Sequence, residues 1–310
     1  VAEYYISANG SDSNAGTLAA PWLTVGKLNT EVNAGNVLRS DTVFLRRGDV
    51  FYGRVDLSNL SATGTGLLKL RPYGYGPLPQ INGYKVSSDA WTLHAAGIWK
   101  LDITSSSTQY SGNKSSAVDV GHLRQGSSFK AYKRNSLEGL INEWDFFSDE
   151  TYVYVNKATS PGAGIRIAVR QSGLTCGNNI DVRGVHVLGH GAHGMINSGK
   201  GAIVVSRNVI EDIGGSYISG SETRYGNGFE GYTNARSMNV TQNLIRQCFD
   251  VGMTVQGPME SNSASNILYQ GNWIENCNQS FEVWATTSST PSALPLAKIF
   301  FTENVCVGAG

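Results

Sequence analysis

Two glutamates in the last third of the chain occupy the same slot of a recurring short segment. Four segments align: Gly194-Met195-Ile196-Asn197-Ser198, Gly228-Phe229-Glu230-Gly231-Tyr232, Gly252-Met253-Thr254-Val255-Gln256 and Ser280-Phe281-Glu282-Val283-Trp284. In a strand, alternate side chains face opposite ways. Met195, Phe229, Met253 and Phe281 then point inward. Ile196, Glu230, Thr254 and Glu282 form one outward row, and Ser198, Tyr232, Gln256 and Trp284 the next. If the segments stack as adjacent strands, Glu230 and Glu282 stand two rungs apart, about 9.6 Å between backbones. Carboxyl pairs at ~6.5–9.5 Å serve inverting glycoside hydrolysis, and pairs at ~5–5.5 Å the retaining kind. Tyr232 and Trp284 beside them supply aromatic faces for sugar rings. Outward glutamates are also what a plain solvated sheet face carries.

Other residues in reach of this row extend the chemistry. The segment from Gly214 to Gly228 is an insertion between strands, and it holds Tyr217, Glu222, Arg224 and Tyr225. A loop of this kind on a rigid scaffold walls a groove and often carries function. Asp250 lies just ahead of its strand, as an assisting acid or a turn carboxylate. His193 suits a proton shuttle or a sugar contact, whereas His190 falls in a slot shared with Ile213, Cys248 and Cys277 and reads as packing. The two histidines have no evident third ligand, so no metal site is expected. Asp212, Glu211 and Glu275 on another face make a thin case for calcium. Removal of a proton beside a uronate carboxylate would need a base and a cation. The outward row offers no basic residue, which favours hydrolysis over elimination while leaving both open.

The elements that position these residues are read from an internal repeat. Ile180-Asp181-Val182, Ile203-Val204-Val205, Met238-Asn239-Val240, Ile267-Leu268-Tyr269 and Ile299-Phe300-Phe301 share one pattern, and Asn208, Asn243, Asn272 and Asn304 follow the last four at a fixed offset. Constant strands with variable turns fit a solenoid whose loops absorb insertions. The asparagines are expected to stack as a ladder at a turn, where Asn tolerates the left-handed region. Cys248 and Cys277 share a slot on adjacent coils, as a thiol ladder or a disulfide. Val25, Leu28 and Val32 mark one helix from Thr24, the expected N-terminal cap. Residues 88–170 differ in texture, with Trp91, Trp99, Tyr132, Trp144, Tyr152 and Tyr154 in alternating runs, and read as an inserted antiparallel module, a small sandwich. The expectation is an all-β chain: a right-handed parallel β-helix with a short N-terminal capping helix and an inserted antiparallel β module. It divides into 1–87 (cap and first coils), 88–170 (insert) and 171–310 (main coils).

Composition narrows the partners. Charged residues make up 15% of the 310, and Lys+Arg and Asp+Glu balance at 24 each, so no global field recruits nucleic acid or an anionic membrane. No apolar run approaches the ~18 residues of a spanning helix, and no membrane insertion is expected. The start at Val1 carries no signal peptide, as a processed secreted chain would not.

The opening Tyr4-Tyr5-Ile6-Ser7-Ala8-Asn9-Gly10-Ser11-Asp12-Ser13-Asn14-Ala15-Gly16-Thr17, followed by Ala20-Pro21-Trp22, resembles the start of secreted right-handed parallel β-helix proteins of the pectate-lyase-like superfamily. The Arg47-Gly48-Asp49-Val50-Phe51-Tyr52-Gly53 turn and the insertion holding Gly97-Ile98-Trp99-Lys100 are similar to the same group. The resemblance implies the fold, an extracellular location and a polysaccharide partner. It leaves the reaction open, because that superfamily spans lyases, hydrolases, epimerases, phage tailspikes and non-enzymes. A polysaccharide hydrolase without cofactor is the leading expectation, with Glu230, Glu282 and Asp250 catalytic and Tyr232, Trp284, Thr254, Gln256, Glu222, Arg224, Tyr225 and His193 binding substrate. A uronate lyase and a non-catalytic glycan-binding tailspike or adhesin stand beside it. The chain is expected to be a monomer, or a trimer if it belongs to a tailspike.

Overall fold

The computed structural model describes the chain except for residues 106–107, 111–112, 115–117, 127–128, 198–201, 234, 260–263 and 288–295. Ser198, expected in the second outward row, lies outside the described residues. Among the described residues the chain is nearly all β, with one helix, Val25–Asn33. Thr24 caps it: its backbone is extended and its hydroxyl accepts the Lys27 N–H at 3.1 Å, satisfying one orphan donor of the first turn. Val25, Leu28 and Val32 bury one face. Asn29, on that helix, accepts the Asp56 N–H at 2.8 Å and donates to the Arg54 carbonyl at 3.0 Å.

Three parallel sheets are visited in rotation. The first runs through Glu3–Ile6, Thr42–Arg46, Leu68–Tyr73, Ile180–Arg183, Ile203–Ser206, Met238–Thr241, Ala264–Gln270 and Leu296–Thr302. The second takes Val50–Tyr52, Gln80–Asn82, His186–His190, Val209–Ile213, Leu244–Cys248, Trp273–Glu275 and Val305–Val307. The third takes Val55–Asp56, Leu174–Cys176, Met195–Asn197, Phe229–Tyr232, Val251–Met259 and Gln279–Thr287. Each strand pairs in register with its counterpart one circuit later, as in Ile203↔Met238 and Met238↔Ile267. One core cluster fills the space between the sheets. Ile203, Val205, Ile210, Met238, Val240, Ile245, Ile267, Tyr269 and Ile274 are all fully buried within it, and each such side chain contributes roughly 1.5–3 kcal/mol. Phe301, expected inside with them, is only partly buried, because its strand has a neighbour on one side alone.

The asparagine ladder runs through a turn. Asn243 Oδ1 accepts both the backbone N–H and the side-chain amide of Asn208, each at 3.0 Å. Asn272 does the same for Asn243, and Asn304 for Asn272. The left-handed residue is not the asparagine itself but the one before it: Arg207, Gln242, Gly271 and Glu303 have φ between 55° and 64°. The side-chain oxygen satisfies the amide that this turn leaves open. Cys248 and Cys277 are buried thiols and form no disulfide.

Between the strands at Gln80–Asn82 and Leu174–Cys176 the chain builds two further sheets that are antiparallel apart from one short parallel pair. A six-stranded sheet includes Tyr84–Ser87, Val120–Gln125 and Arg166–Val169. A five-stranded one includes Thr92–Ala95, Ile98–Asp102, Asp145–Ser148 and Tyr152–Asn156. They enclose their own core of Trp91, Leu101, Ile103, Val120, Leu123, Phe146, Val153, Val155, Ile165 and Ile167. Tyr84–Ser87, which the sequence pattern groups with the first coils, belongs to this antiparallel region.

Candidate active site

The third sheet sets the register of the site. Asp56, Thr175, Ile196, Glu230, Thr254 and Glu282 are paired in that order across its strands. Glu230 and Glu282 are thus two rungs apart, with Thr254 between them. Outward does not mean solvated, however. Glu230 is 2% exposed and Thr254 is fully covered, because the second outward row and the insert at 214–228 fold over the strand.

That insert is a hairpin. Gly215 N–H donates to the Tyr225 carbonyl and Tyr225 N–H to the Ser216 carbonyl, while Tyr217 and Arg224 bridge antiparallel. Gly214 and Gly215 at its base both have φ of 97°, and a Cβ on Gly214 would stand 2.3 Å from Gly226 Cα. Only glycine fits there. The antiparallel module pins the hairpin from outside. Asp119 accepts the Tyr217 N–H at 2.5 Å and pairs with the buried Lys133. The Lys133 ammonium lies 4.5 Å above the Tyr217 ring, and Arg170 donates to the Tyr217 carbonyl at 3.3 Å. Burial holds the Lys133 ammonium down to about 8.

Hairpin and sheet enclose a cleft of about 820 Å³. Its lining includes Glu230, Asp250, Glu282, Tyr232, Gln256, Trp284, His193, Tyr225 and Arg224, so most of the expected residues meet there. Two do not. Thr254 is sealed beneath the glutamate row, its hydroxyl 3.4 Å from Gln256 Oε1. Glu222 sits exposed at the hairpin tip while Arg224 and Tyr225 turn inward. Arg54, Arg170, Gln171, Ser172, Thr175 and Asn227 also line the cleft, and sequence reasoning missed them. The outward row itself holds no basic residue, as expected. Beside Arg224, however, two further guanidinium groups line the cleft from outside the row, Arg54 from the first rung of the sheet and Arg170 from the exit of the module. The register Val55↔Leu174 brings Arg54 in, and no local pattern announces a pairing across the module.

The three carboxyls differ in environment. Burial works to raise Glu230, but His193, Gln256 and Asn227 outweigh it and hold the carboxyl below the usual carboxylate range. Gln256 Nε2 donates to Glu230 Oε1 at 2.8 Å. His193 Nε2 lies 2.7 Å from Oε2, away from the line of a good hydrogen bond, so that oxygen keeps an unused lone pair. Asp250 is pushed up by burial and by the Glu230 charge, against His193. Glu282 is pushed up by burial, Asp250 and Glu230. Environments that drive neighbouring carboxyls apart separate a base from an acid.

The carboxylates considered for calcium are committed to cations. Asp212 is paired with the buried Arg124, Glu211 with His186 and Arg246, and Glu275 with Arg246. No group of three or more metal-ligating side chains occurs among the described residues. His190 is fully buried beneath the second sheet, a packing residue as its slot implies.

No family model and no curated protein matches the sequence. Solved structures do share the fold. One described as XylC in complex with xylose aligns at a TM-score of 0.53 and 14% identity, over 91% of this chain and 60% of that one. A second, described as a glycoside hydrolase, aligns at 0.50 and 10% identity over 90% and 73% of the two chains. A rhamnogalacturonan lyase covers the whole chain and 63% of its own at a TM-score of 0.32 and 13% identity, too low to carry an argument. The chain spans less than two thirds of the first structure's length.

Proposed function

We propose that the chain is a right-handed parallel β-helix enzyme that hydrolyses a polysaccharide in this cleft. Three parallel sheets visited in rotation support the fold, since parallel crossovers are right-handed in about 98% of cases. The observation that carries the reaction is Glu230: a nearly covered carboxyl on a cleft floor whose pKa is held down, beside Glu282 and Asp250, whose pKa values are pushed up.

In this reading Glu230 is the general base. Its carboxylate takes a proton from a water entering between the carboxyl groups, which attacks the anomeric carbon. Glu282, in its protonated form, delivers its proton to the departing glycosidic oxygen as the bond breaks. The backbone spacing of two rungs, about 9.6 Å, favours the wider carboxyl separation of inverting enzymes over the narrower retaining one. Asp250 keeps the Glu282 proton in place by its charge, and Tyr232 and Trp284 stack on flanking sugars. A chain that works on such a polymer belongs outside the cell.

Elimination is the second reading, because Arg54, Arg170 and Arg224 give the cleft the cations a lyase requires. Incubation with plant, algal and bacterial polysaccharides separates the two. New reducing ends without unsaturated uronate support hydrolysis, and unsaturated products support the lyase. No product from any glycan moves the protein to a binding role, for which a stable trimer in solution would indicate a tailspike.

A further inference from the structure

The cations at the base of the hairpin exceed the anions. Arg170 and Arg224 both lie within electrostatic reach of Lys133, and two carboxylates pair with members of the group. Asp119 is taken by Lys133 and the Tyr217 N–H, and Glu150 by Arg170 at 2.9 Å. Arg224 has no ion-pair partner among the described residues. Its Nε donates to the Gly215 carbonyl at 2.6 Å, and its guanidinium lies 4.0 Å from the Phe249 ring centre and 5.7 Å from that of Tyr217. The two terminal nitrogens have no hydrogen-bonded partner among the described residues, and the side chain lines the cleft.

A guanidinium taken partly out of water with no carboxylate in direct contact is costly, even with the Asp119 charge within reach. Here the cost is borne in a fixed geometry: two aromatic rings, a carbonyl on Nε and a hairpin pinned by the module. The free edge that remains is a planar fork of donors suited to a bidentate oxyanion. Arg54, which also pairs with Asp56 at 2.8 Å, adds a second positive group three rungs from Glu230 along the same sheet, about 14 Å away by the strand spacing. Glu230, Asp250 and Glu282 line the same cleft.

We propose that the cleft selects glycans bearing acid groups, carboxylate or sulfate, with Arg224 holding the acid group of a sugar next to the carboxylates and Arg54 a later one along the chain. The proposal rests on the cleft being a glycan site but not on the reaction it performs. A neutral glycan would leave the guanidinium fork unpaired, which is the means of discrimination.

Affinity electrophoresis of the full chain carrying Glu230→Gln, which removes turnover, tests it. The gels hold polygalacturonate, its methyl-esterified form, alginate, glucuronoxylan, unsubstituted xylan or a sulfated galactan. Retardation by an acidic glycan, at least tenfold stronger than by its neutral counterpart and weakened by salt, is expected. Adding Arg224→Gln should remove at least nine tenths of that preference, while Arg224→Lys retains part of it, with melting temperatures checking that both variants fold. Retardation confined to the uronates or to the sulfated galactan identifies the acid group and supports the proposal. Equal retardation by esterified and acidic forms, retardation by none of the acidic glycans, or an unchanged preference in Arg224→Gln overturns it. If acidic glycans bind but the unmutated protein cleaves none, the proposed reaction fails and the charge selectivity stands. If the unmutated protein cleaves neutral glycans alone, the reaction stands and the charge selectivity fails.

Discussion

The backbone N–H of Asn227 donates to Nδ1 of His193 at 3.3 Å. A ring nitrogen that accepts cannot carry the proton, so in neutral His193 the proton is on Nε2, facing Glu230 at 2.7 Å. The Tyr225 ring, edge-on to the imidazole at 5.0 Å, holds its plane. His193 thus fixes the orientation of the glutamate and favours its ionised form. Nδ1 is occupied as an acceptor and Nε2 faces the Glu230 carboxylate, which makes His193 a positioning residue rather than the proton shuttle suggested by its type.

Glu230→Gln is expected to lower turnover by ~10²–10⁴ on natural glycans, the usual worth of a general base. Glu282→Gln should cause a similar loss there but spare an aryl glycoside whose leaving group needs no protonation. Steady-state rates on both substrates check the assignment. Equal losses for Glu282→Gln on both would remove it as the acid.

The pH profile of kcat/KM should be bell-shaped. Its acid limb follows Glu230 and falls below the usual carboxylate range, because His193, Gln256 and Asn227 outweigh its burial. The alkaline limb follows Glu282, which burial, Asp250 and Glu230 push upward. Glu282→Gln should abolish the alkaline limb and leave the acid one.

Stability should respond with opposite signs. Glu230 has a lowered pKa in the fold, so its contribution is present above the unfolded value and lost as pH falls through the folded one. Asp250 and Glu282 have raised values, so their ionisation opposes folding at neutral pH and the penalty disappears in acid. Thermal melts at pH 7 should show Asp250→Asn and Glu282→Gln slightly stabilised and Glu230→Gln destabilised. The two gains should vanish in acid, below the ordinary carboxylate range.

Lys133→Met strands the buried Asp119 carboxylate and should cost ~3–5 kcal/mol. Asp119→Asn removes the charge but keeps an acceptor for Tyr217. Hydrogen exchange at the Tyr217 amide should quicken more than about tenfold in Lys133→Met, with the far strands of the first sheet unaffected. Uniform quickening throughout would show that the pair holds the fold rather than the hairpin.

Asn243→Ala should destabilise by ~1–3 kcal/mol, because it leaves buried groups of two neighbouring turns unsatisfied. Asn304→Ala, at the ladder's end, should cost less. Denaturant melts of the two variants give the comparison.

The repeated strands were legible because period-two alternation and the Asn offset survive in every circuit, and the four asparagines stack as that offset requires. The glutamate row followed from the same register. What the register could not convey was burial. Glu230 and Thr254 point outward yet are covered: Gln256 of the next outward row lies against both, and His193 and Asn227 close over Glu230. Glu222 and Arg224 were indistinguishable in sequence, and only the Tyr217–Arg224 bridge decides which of them turns inward. Arg54 and Arg170 are separated from the site by the whole antiparallel module or lie at its end, so no local spacing connects them to it. The Asp119–Lys133 pair lies in a segment whose texture signalled only a different kind of sheet.

The module's first and last strands pair with each other, Tyr84 opposite Ala168. Entry and exit are therefore held one strand apart, and the module closes its own loop. Were residues 84–168 unstructured, bringing the strand at Gln80–Asn82 against His186–His190 would cost about 4 kcal/mol of chain entropy. Once Tyr84 and Ala168 are zipped, the growing stack meets only a short link and can pass from the early circuits to the later ones. Arg54 stands on the near side of that link and Glu230 on the far side. The complete cleft is then expected to form late, after the module has folded, and a substitution that slows the Tyr84–Ala168 pairing should delay the acquisition of binding without altering the final affinity.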